Sequence, residues 1–292
     1  MVCFGEVLWD IFPEGEKIGG APLNVALRLN TLGVKTFIAS QIGKDPLGKR
    51  LIKFVQENKL DTSLIQHSSD FSTGVVNVSL DTNGSASYEI AHPAAWDKIE
   101  PSAEWIDVVS TSSVFLFGSL VARDTVSKNT LNTLLPHANF KVFDVNLRSP
   151  HYSYSLLEEL MCQADFIKFN DDELDEISKH FGCQSSQLED QLAYMALLTK
   201  ATYICVTKGG DGAMLYHEGN YYNQHGFPIE VVDTVGAGDS FLATLLEGIL
   251  TKRKLNDALK RACAMGALVA GSAGANAQIS EATLMDYIAQ FT

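Results

Sequence analysis

Apolar positions along the chain switch between two periods, and the order of the switches predicts the architecture. Residues 2–8 form an apolar run that ends near Asp10 and reads as a strand. Gly19 and Gly20 then turn the chain into a helix at about 22–32, with Pro22 suited to its first turn. A strand at 35–42, the turn Gly43-Lys-Asp-Pro-Leu-Gly48 and a helix at about 47–58 repeat the unit. The rhythm resumes after about residue 99. Apolar strands are expected at 113–118, 140–145, 165–169 and 203–207 with helical patterns between them, then a hairpin at 212–224 and helices near 255–271 and 280–290. Such alternation predicts an α/β fold with a mostly parallel sheet and helices on its faces. One block breaks the pattern. Ser72–Leu80 and Ser85–Ala91 read as two strands around Asp81-Thr-Asn-Gly84, a hairpin turn. With residues near 10–18 they predict a small antiparallel sheet inserted into one larger domain, and no linker or internal repeat divides the chain.

Composition narrows the function. The chain has 292 residues, 46% of them apolar, which excludes a disordered protein. No apolar run reaches the roughly 20 residues that span a bilayer, and the first residues carry no signal-peptide pattern, so a cytoplasmic protein is expected. The net charge of −13 argues against nucleic-acid partners. Five scattered cysteines without a Cys-x-x-Cys pair, and seven dispersed histidines, indicate neither a disulfide frame nor zinc.

The candidate chemistry centres on Asp233-Thr-Val-Gly-Ala-Gly-Asp-Ser-Phe241, which opens an apolar helical run at Leu242 to about Thr251. Gly236, Ala237 and Gly238 therefore stand at a helix entrance, where unpaired amides and the helix dipole attract anions. Asp239 places a carboxylate beside that anion site. A simple anion binder has no use for it, whereas a phosphoryl-transfer enzyme needs a group to take the proton from the attacking hydroxyl. Polar clusters follow the other predicted strands, where open α/β sheets bind ligands. Asp10, Gly20 and Asn24 offer a carboxylate and an amide for sugar hydroxyls. Asp144-Val-Asn146-Leu-Arg148 would present three polar side chains on one side while extended, and Arg148 suits phosphate or carboxylate. Asn170-Asp-Asp-Glu173 opens a helix, and Thr207-Lys208-Gly209-Gly210-Asp211-Gly212 ends a strand in a glycine-rich turn. Gly43–Arg50 nearly spells a P-loop, but Arg50 stands where a hydroxyl would hold Mg2+. A dinucleotide-dependent dehydrogenase is excluded by the absence of a strand-linked Gly-x-Gly-x-x-Gly.

These segments resemble the ribokinase-like (PfkB) carbohydrate kinases, and the resemblance covers nearly the whole chain. Gly5-Glu-Val-Leu-Trp-Asp10, Gly19-Gly-Ala-Pro-Leu-Asn24 and Ala94-Ala-Trp-Asp97 look most like bacterial fructokinases. The resemblance implies a three-layer α/β/α domain over 1–292 with a β lid, about 10–18 and 70–98, that also serves homodimer contacts. It implies Asp239 as catalytic base and the amides of Gly236, Ala237 and Gly238 as the anion hole. Asp10, Gly20, Asn24, Asn146 and Arg148 would bind the sugar. Lys168, Thr207, Lys208, Gly209, Gly212, Gly274 and Asn276 would line the ATP site, where Ser272 and Ala273 depart from the family's usual residues. Asn170 and Glu173 would organise Mg2+ through water, and Asp233 with Val235 would hold K+ in those members that bind it. Fructose is the expected substrate. Ribose, 2-keto-3-deoxygluconate or a riboside are the alternatives within the fold, and a non-catalytic sugar sensor is the alternative outside catalysis. The lack of Lys or Arg at 70–92 disfavours an already phosphorylated sugar.

Overall fold

The computed structural model describes residues 1–12, 15–80 and 86–291. Strand β1 (Val2–Phe4) is followed by β2 (Leu8–Phe12), β3 (Gly15–Gly19) and helix α1 (Ala21–Thr31). Next come β4 (Phe37–Gly43), α2 (Pro46–Glu57), β5 (Ile65–Ser68), β6 (Gly74–Leu80) and β7 (Ala86–Ile90). The second half carries α3 (Ala103–Thr111), β8 (Phe115–Gly118), α4 (Thr125–Leu134), β9 (Lys141–Asp144), α5 (Tyr154–Met161), β10 (Phe166–Asn170), α6 (Asp171–His180) and α7 (Leu188–Thr199). It closes with β11 (Tyr203–Thr207), β12 (Ala213–His217), β13 (Asn220–Gln224), α8 (Ala237–Leu250), α9 (Leu255–Ala270) and α10 (Glu281–Ala289).

Nine strands form one sheet in the order β13-β12-β11-β10-β9-β8-β1-β4-β5. The seven strands from β5 to β11 in that order pair parallel, and at the far edge β12 pairs antiparallel with both β11 and β13. Alternate residues of each strand serve opposite cores, as the pleat requires. Cys3, Leu116, Val142 and Phe166 face α1, α2, α8 and α9. Val2, Phe4, Phe115, Phe117, Phe143 and Ile167 face α3 to α7. The expected three-layer α/β/α fold is present. Strand β1 lies between β4, reached through one face, and β8, reached through the other. The strand order therefore reverses beside β1, which opens a crevice at the C-terminal strand ends.

The run at 2–8 is not one strand. The large sheet releases the chain at Gly5, whose φ of 148° disfavours a side chain and where a Cβ would press on Pro22. Leu8–Phe12 joins a second sheet of order β3-β2-β6-β7. Asp10 thus lies inside the small sheet, opposite Lys17 and Val76, rather than at the end of a large-sheet strand. Strands β6 and β7 pair antiparallel as expected, but β2 runs parallel to β6, so the small sheet is mixed rather than antiparallel throughout, and the turn expected at Asp81–Gly84 lies outside the described residues. The Gly43–Gly48 segment has a structural role. Asp45 caps α2 through the Gly48 amide at 2.8 Å and also accepts from the amide and hydroxyl of Thr73.

Candidate active site

Helix α8 begins five residues before the apolar run that signals it, so the entrance glycines are themselves part of the turn. Gly236 occupies the N-cap with φ 77°, ψ −1°, and no side chain caps the helix. A Cβ at 236 would come within 2.5 Å of the Ala275 Cβ, so the turn needs glycine both for its backbone and for its neighbour. The Ala237 amide bonds back to Thr234, and among the described residues the amides of Gly238 and Asp239 have no protein acceptor. These free donors, with the helix dipole, give the entrance a potential that favours an anion. Lys168 Nζ lies 3.8 Å from where a Gly238 Cβ would stand, so an ammonium flanks the same space.

Asp239 sits on the first turn of α8. Its Oδ2 accepts from Asn24 Nδ2 at 2.8 Å, across from α1. Asn24 Oδ1 in turn accepts from Asn276 Nδ2 at 3.3 Å. Asn276, assigned by resemblance to the nucleotide wall, therefore reaches the Asp239 side of the crevice. Asp239 keeps partial contact with solvent, yet burial and the nearby Asp144 carboxylate raise its pKa to about 6, against the Asn24 hydrogen bond, Lys168 and Arg148. That value leaves it ionised at neutral pH and able to accept a proton.

Lys168 and Asp144, neighbours across β9 and β10, form a buried pair at 2.8 Å. Burial alone would lower the lysine, but Asp144, with Glu173 and Asp239 beyond, raises it above its ordinary value. The extended Asp144-Asn146-Arg148 run does not occur. Strand β9 stops at Asp144, and Asn146 takes φ 39°, which breaks the alternation. Arg148 is exposed, donates to the Leu147 carbonyl at 2.9 Å, and acts electrostatically on Asp239, Asp10 and Glu6. Burial raises Asp10, against Arg148 and Lys17.

Asn170 and Glu173 form a capping box at the start of α6. Asn170 Oδ1 accepts from the Glu173 amide and Glu173 Oε2 from the Asn170 amide, both at 2.8 Å. Glu173 Oε1 accepts from the Leu147 amide at 2.8 Å, which ties the loop bearing Arg148 to α6. Asp233 accepts from the amides of Val235 at 3.0 Å and Gly274 at 3.2 Å, and from Lys17 Nζ of β3 at 3.2 Å. Burial pushes Asp233 up, but these donors hold it below the usual carboxylate range. Thr207, Lys208, Gly209 and Gly212 stand together at the end of β11. The Lys208 amide donates to the Gly212 carbonyl at 2.8 Å, and Lys208 Nζ to Asn223 Oδ1 at 3.3 Å. The expected residues at Asn24, Asp144, Lys168, Asp239 and Asn276 thus come together around the start of α8, while Thr207–Gly212 stands at the end of β11.

Three residues escaped sequence reasoning. Glu6, just past the end of β1, is 3% exposed, and its Oε2 has no partner among the described residues. Lys17 links the small sheet to Asp233. Arg28, one turn beyond Asn24, donates to Ser240 Oγ at 3.1 Å and to the Ala277 carbonyl at 2.7 Å, which braces α8 against the 274–277 loop. Asp97 in the Ala-Ala-Trp-Asp segment is structural. It pairs with Arg123 at 2.7 Å, and Arg123 lies over the Trp96 ring and holds the Ala91 carbonyl beside the small sheet.

Comparison with known proteins agrees with this geometry. Residues 13–282 match the model of the pfkB family carbohydrate kinases. Fructokinase-2 of Solanum lycopersicum is 26% identical over 94% of this chain and 91% of its own length. A fructokinase of Xylella fastidiosa with bound ATP superposes with a TM-score of 0.87 at 24% identity, covering 99% of this chain and 98% of that one. An aminoimidazole riboside kinase of Salmonella enterica, complexed with its riboside and an ATP analogue, superposes with a TM-score of 0.82 at 23% identity, covering 98% and 99%. An uncapped helix entrance with an adjacent carboxylate, at the strand-order reversal of this fold and under a family match over most of the sequence, has one consistent explanation: the chain belongs to the pfkB family of carbohydrate kinases.

Proposed function

We propose that the protein transfers the γ-phosphoryl group of ATP to a primary hydroxyl of a sugar, and that the sugar is fructose. The observation that carries the reading is the position of Asp239, hydrogen-bonded to Asn24 at 2.8 Å and on the first turn of an uncapped helix. Asp10, Asn24, Asn146 and Arg148 orient the sugar, with Gly20 giving it a close approach. Asp239 takes the hydroxyl proton as the new O–P bond forms and the bond to the ADP oxygen breaks. The amides of Gly238 and Asp239 and the Lys168 ammonium stabilise charge on the transferred phosphoryl oxygens, commonly a large catalytic term, whereas the Ala237 amide, expected in the anion hole, is spent on the Thr234 carbonyl.

ATP lies along Thr207–Gly212 and the loop at Gly274–Asn276 in this reading. Among the described residues no cluster of three His, Cys, Asp or Glu forms a metal cage. The buried Glu173 and the half-buried Asn170, held by each other's amides, suit a Mg2+ that keeps its own waters. Such an ion would neutralise phosphate charge when bound with ATP. A K+ ion at Asp233 and Val235 would compete with the Lys17 ammonium for the same carboxylate. The small sheet acts as a lid that excludes water and as a homodimer contact, in a single cytoplasmic domain. No helix among the described residues is long and apolar enough to cross a membrane.

The test is ADP release, with Mg2+ and ATP, over fructose, ribose, 2-keto-3-deoxygluconate and a riboside. Fructose is expected to give the highest kcat/KM. A clear lead for another sugar overturns the substrate and keeps the mechanism, and release with none of them overturns the kinase reading.

A further inference from the structure

Glu6 is a buried group that the mechanism above does not use. It follows β1 at the point where the strand order reverses, and its backbone carbonyl lies under Gly20, where any side chain would collide with it. It is 3% exposed, and its Oε2 is buried with no hydrogen-bond donor among the described residues. The charged groups that act on it come from three elements: Arg148 from the loop after β9, Asp239 from α8, and Arg123 from the turn after β8. Among the described residues no ion pair joins it to either arginine, and Arg123 is paired with Asp97.

A carboxylate with one oxygen buried and unpartnered is costly to ionise, and a second carboxylate nearby adds to the cost. Two such groups resolve the conflict by carrying one charge between them. We propose that Glu6 is the second proton-holding carboxyl of this site, uncharged while Asp239 is ionised, and that its ionisation sets the upper edge of the pH range in which the site works. Burial and the Asp239 charge, only partly offset by the arginines and its own backbone amide, push the Glu6 carboxyl up to about 7, above Asp239 at about 6. As pH rises, Asp239 ionises first and becomes a competent base. Glu6 ionises next, places a second negative charge behind the base, and opposes the approach of the ATP phosphates. Glu6 is therefore a positioning residue that acts through the charge of its neighbours. This consequence for turnover rests on the kinase reading.

The experiment pairs two readouts on the full chain. In protein labelled with 13C at the glutamate carboxyls, the resonance missing from Glu6→Gln identifies Glu6. It is expected to titrate near neutrality without substrate, and to move to lower pH in Asp239→Asn, which removes the opposing charge. A midpoint near the ordinary value of about 4.3 overturns the proposal. So does a midpoint that Asp239→Asn leaves in place, a comparison that needs no change at Glu6 itself. In the kinetic arm, wild-type kcat/KM falls above about pH 7, up to roughly tenfold per unit, while Glu6→Gln keeps the acid limb and loses that fall. Superimposable alkaline limbs overturn the role in turnover. If the wild type phosphorylates no sugar, the kinase reading fails, and the titration still decides the state of Glu6.

Discussion

Asn24 donates to Asp239 at 2.8 Å from the facing helix, so the proposed base is aimed by a neutral amide rather than by a cation. A cation there would favour the ionised form far more strongly and weaken the carboxylate as a base. Asn24→Ala removes a hydrogen bond that lowers Asp239. The acid limb of kcat/KM is expected to move to higher pH, with kcat reduced about tenfold or more. A pH–rate profile of the variant checks both.

Asp239→Asn is expected to retain sugar and ATP binding, measured by calorimetry, and to lose roughly 10²-fold or more in turnover.

The same substitution should stabilise the fold at neutral pH. A carboxyl raised to about 6 binds its proton more tightly folded than unfolded. Its ionised form therefore costs stability, fully above about pH 6 and not at all below the unfolded value near 3.9. Asp239→Asn should raise Tm by a few degrees at pH 7, with the gain shrinking towards pH 4 in thermal scans.

Lys168→Met breaks the buried pair and strands Asp144, which is 3% exposed. A loss of about 3–5 kcal/mol is expected in urea unfolding, because an unpaired buried charge remains. The double change Lys168→Met with Asp144→Leu should recover much of that stability and none of the turnover.

Lys17→Ala gives the opposite pattern. The ammonium is 53% exposed, so its pair with Asp233 contributes no more than about 1 kcal/mol, and Tm should hardly move. The KM for sugar should rise several-fold, and adding K+ should lower it again if the vacated carboxylate accepts the ion. Steady-state kinetics with and without K+ read both effects.

The sequence carried the α8 entrance openly, because Gly-Ala-Gly before an apolar helical stripe has few other uses. It also carried the strands of the parallel sheet in outline, though not their order, since parallel strands buried on both faces are written as short apolar runs. The break at Gly5 was hidden. Residues 2–8 stay apolar while they pass from one sheet to the other, and periodicity does not register a backbone angle. Asn146 was hidden for the same reason: alternation assumes an extended chain, and φ 39° ends it. Glu6 and Lys17 depend on partners far away in sequence, which no local pattern records.

The departure of the chain at Gly5 leaves Glu6 on the floor of the crevice and Asp10, a few residues on, in its roof. Floor and roof are therefore leashed by one short tether, and in the proposed reading the roof cannot swing without carrying the Asp10 carboxylate with it. Under that proposal capture and enclosure become a single event, and a molecule too small to bridge the gap, water included, gains nothing from the closure.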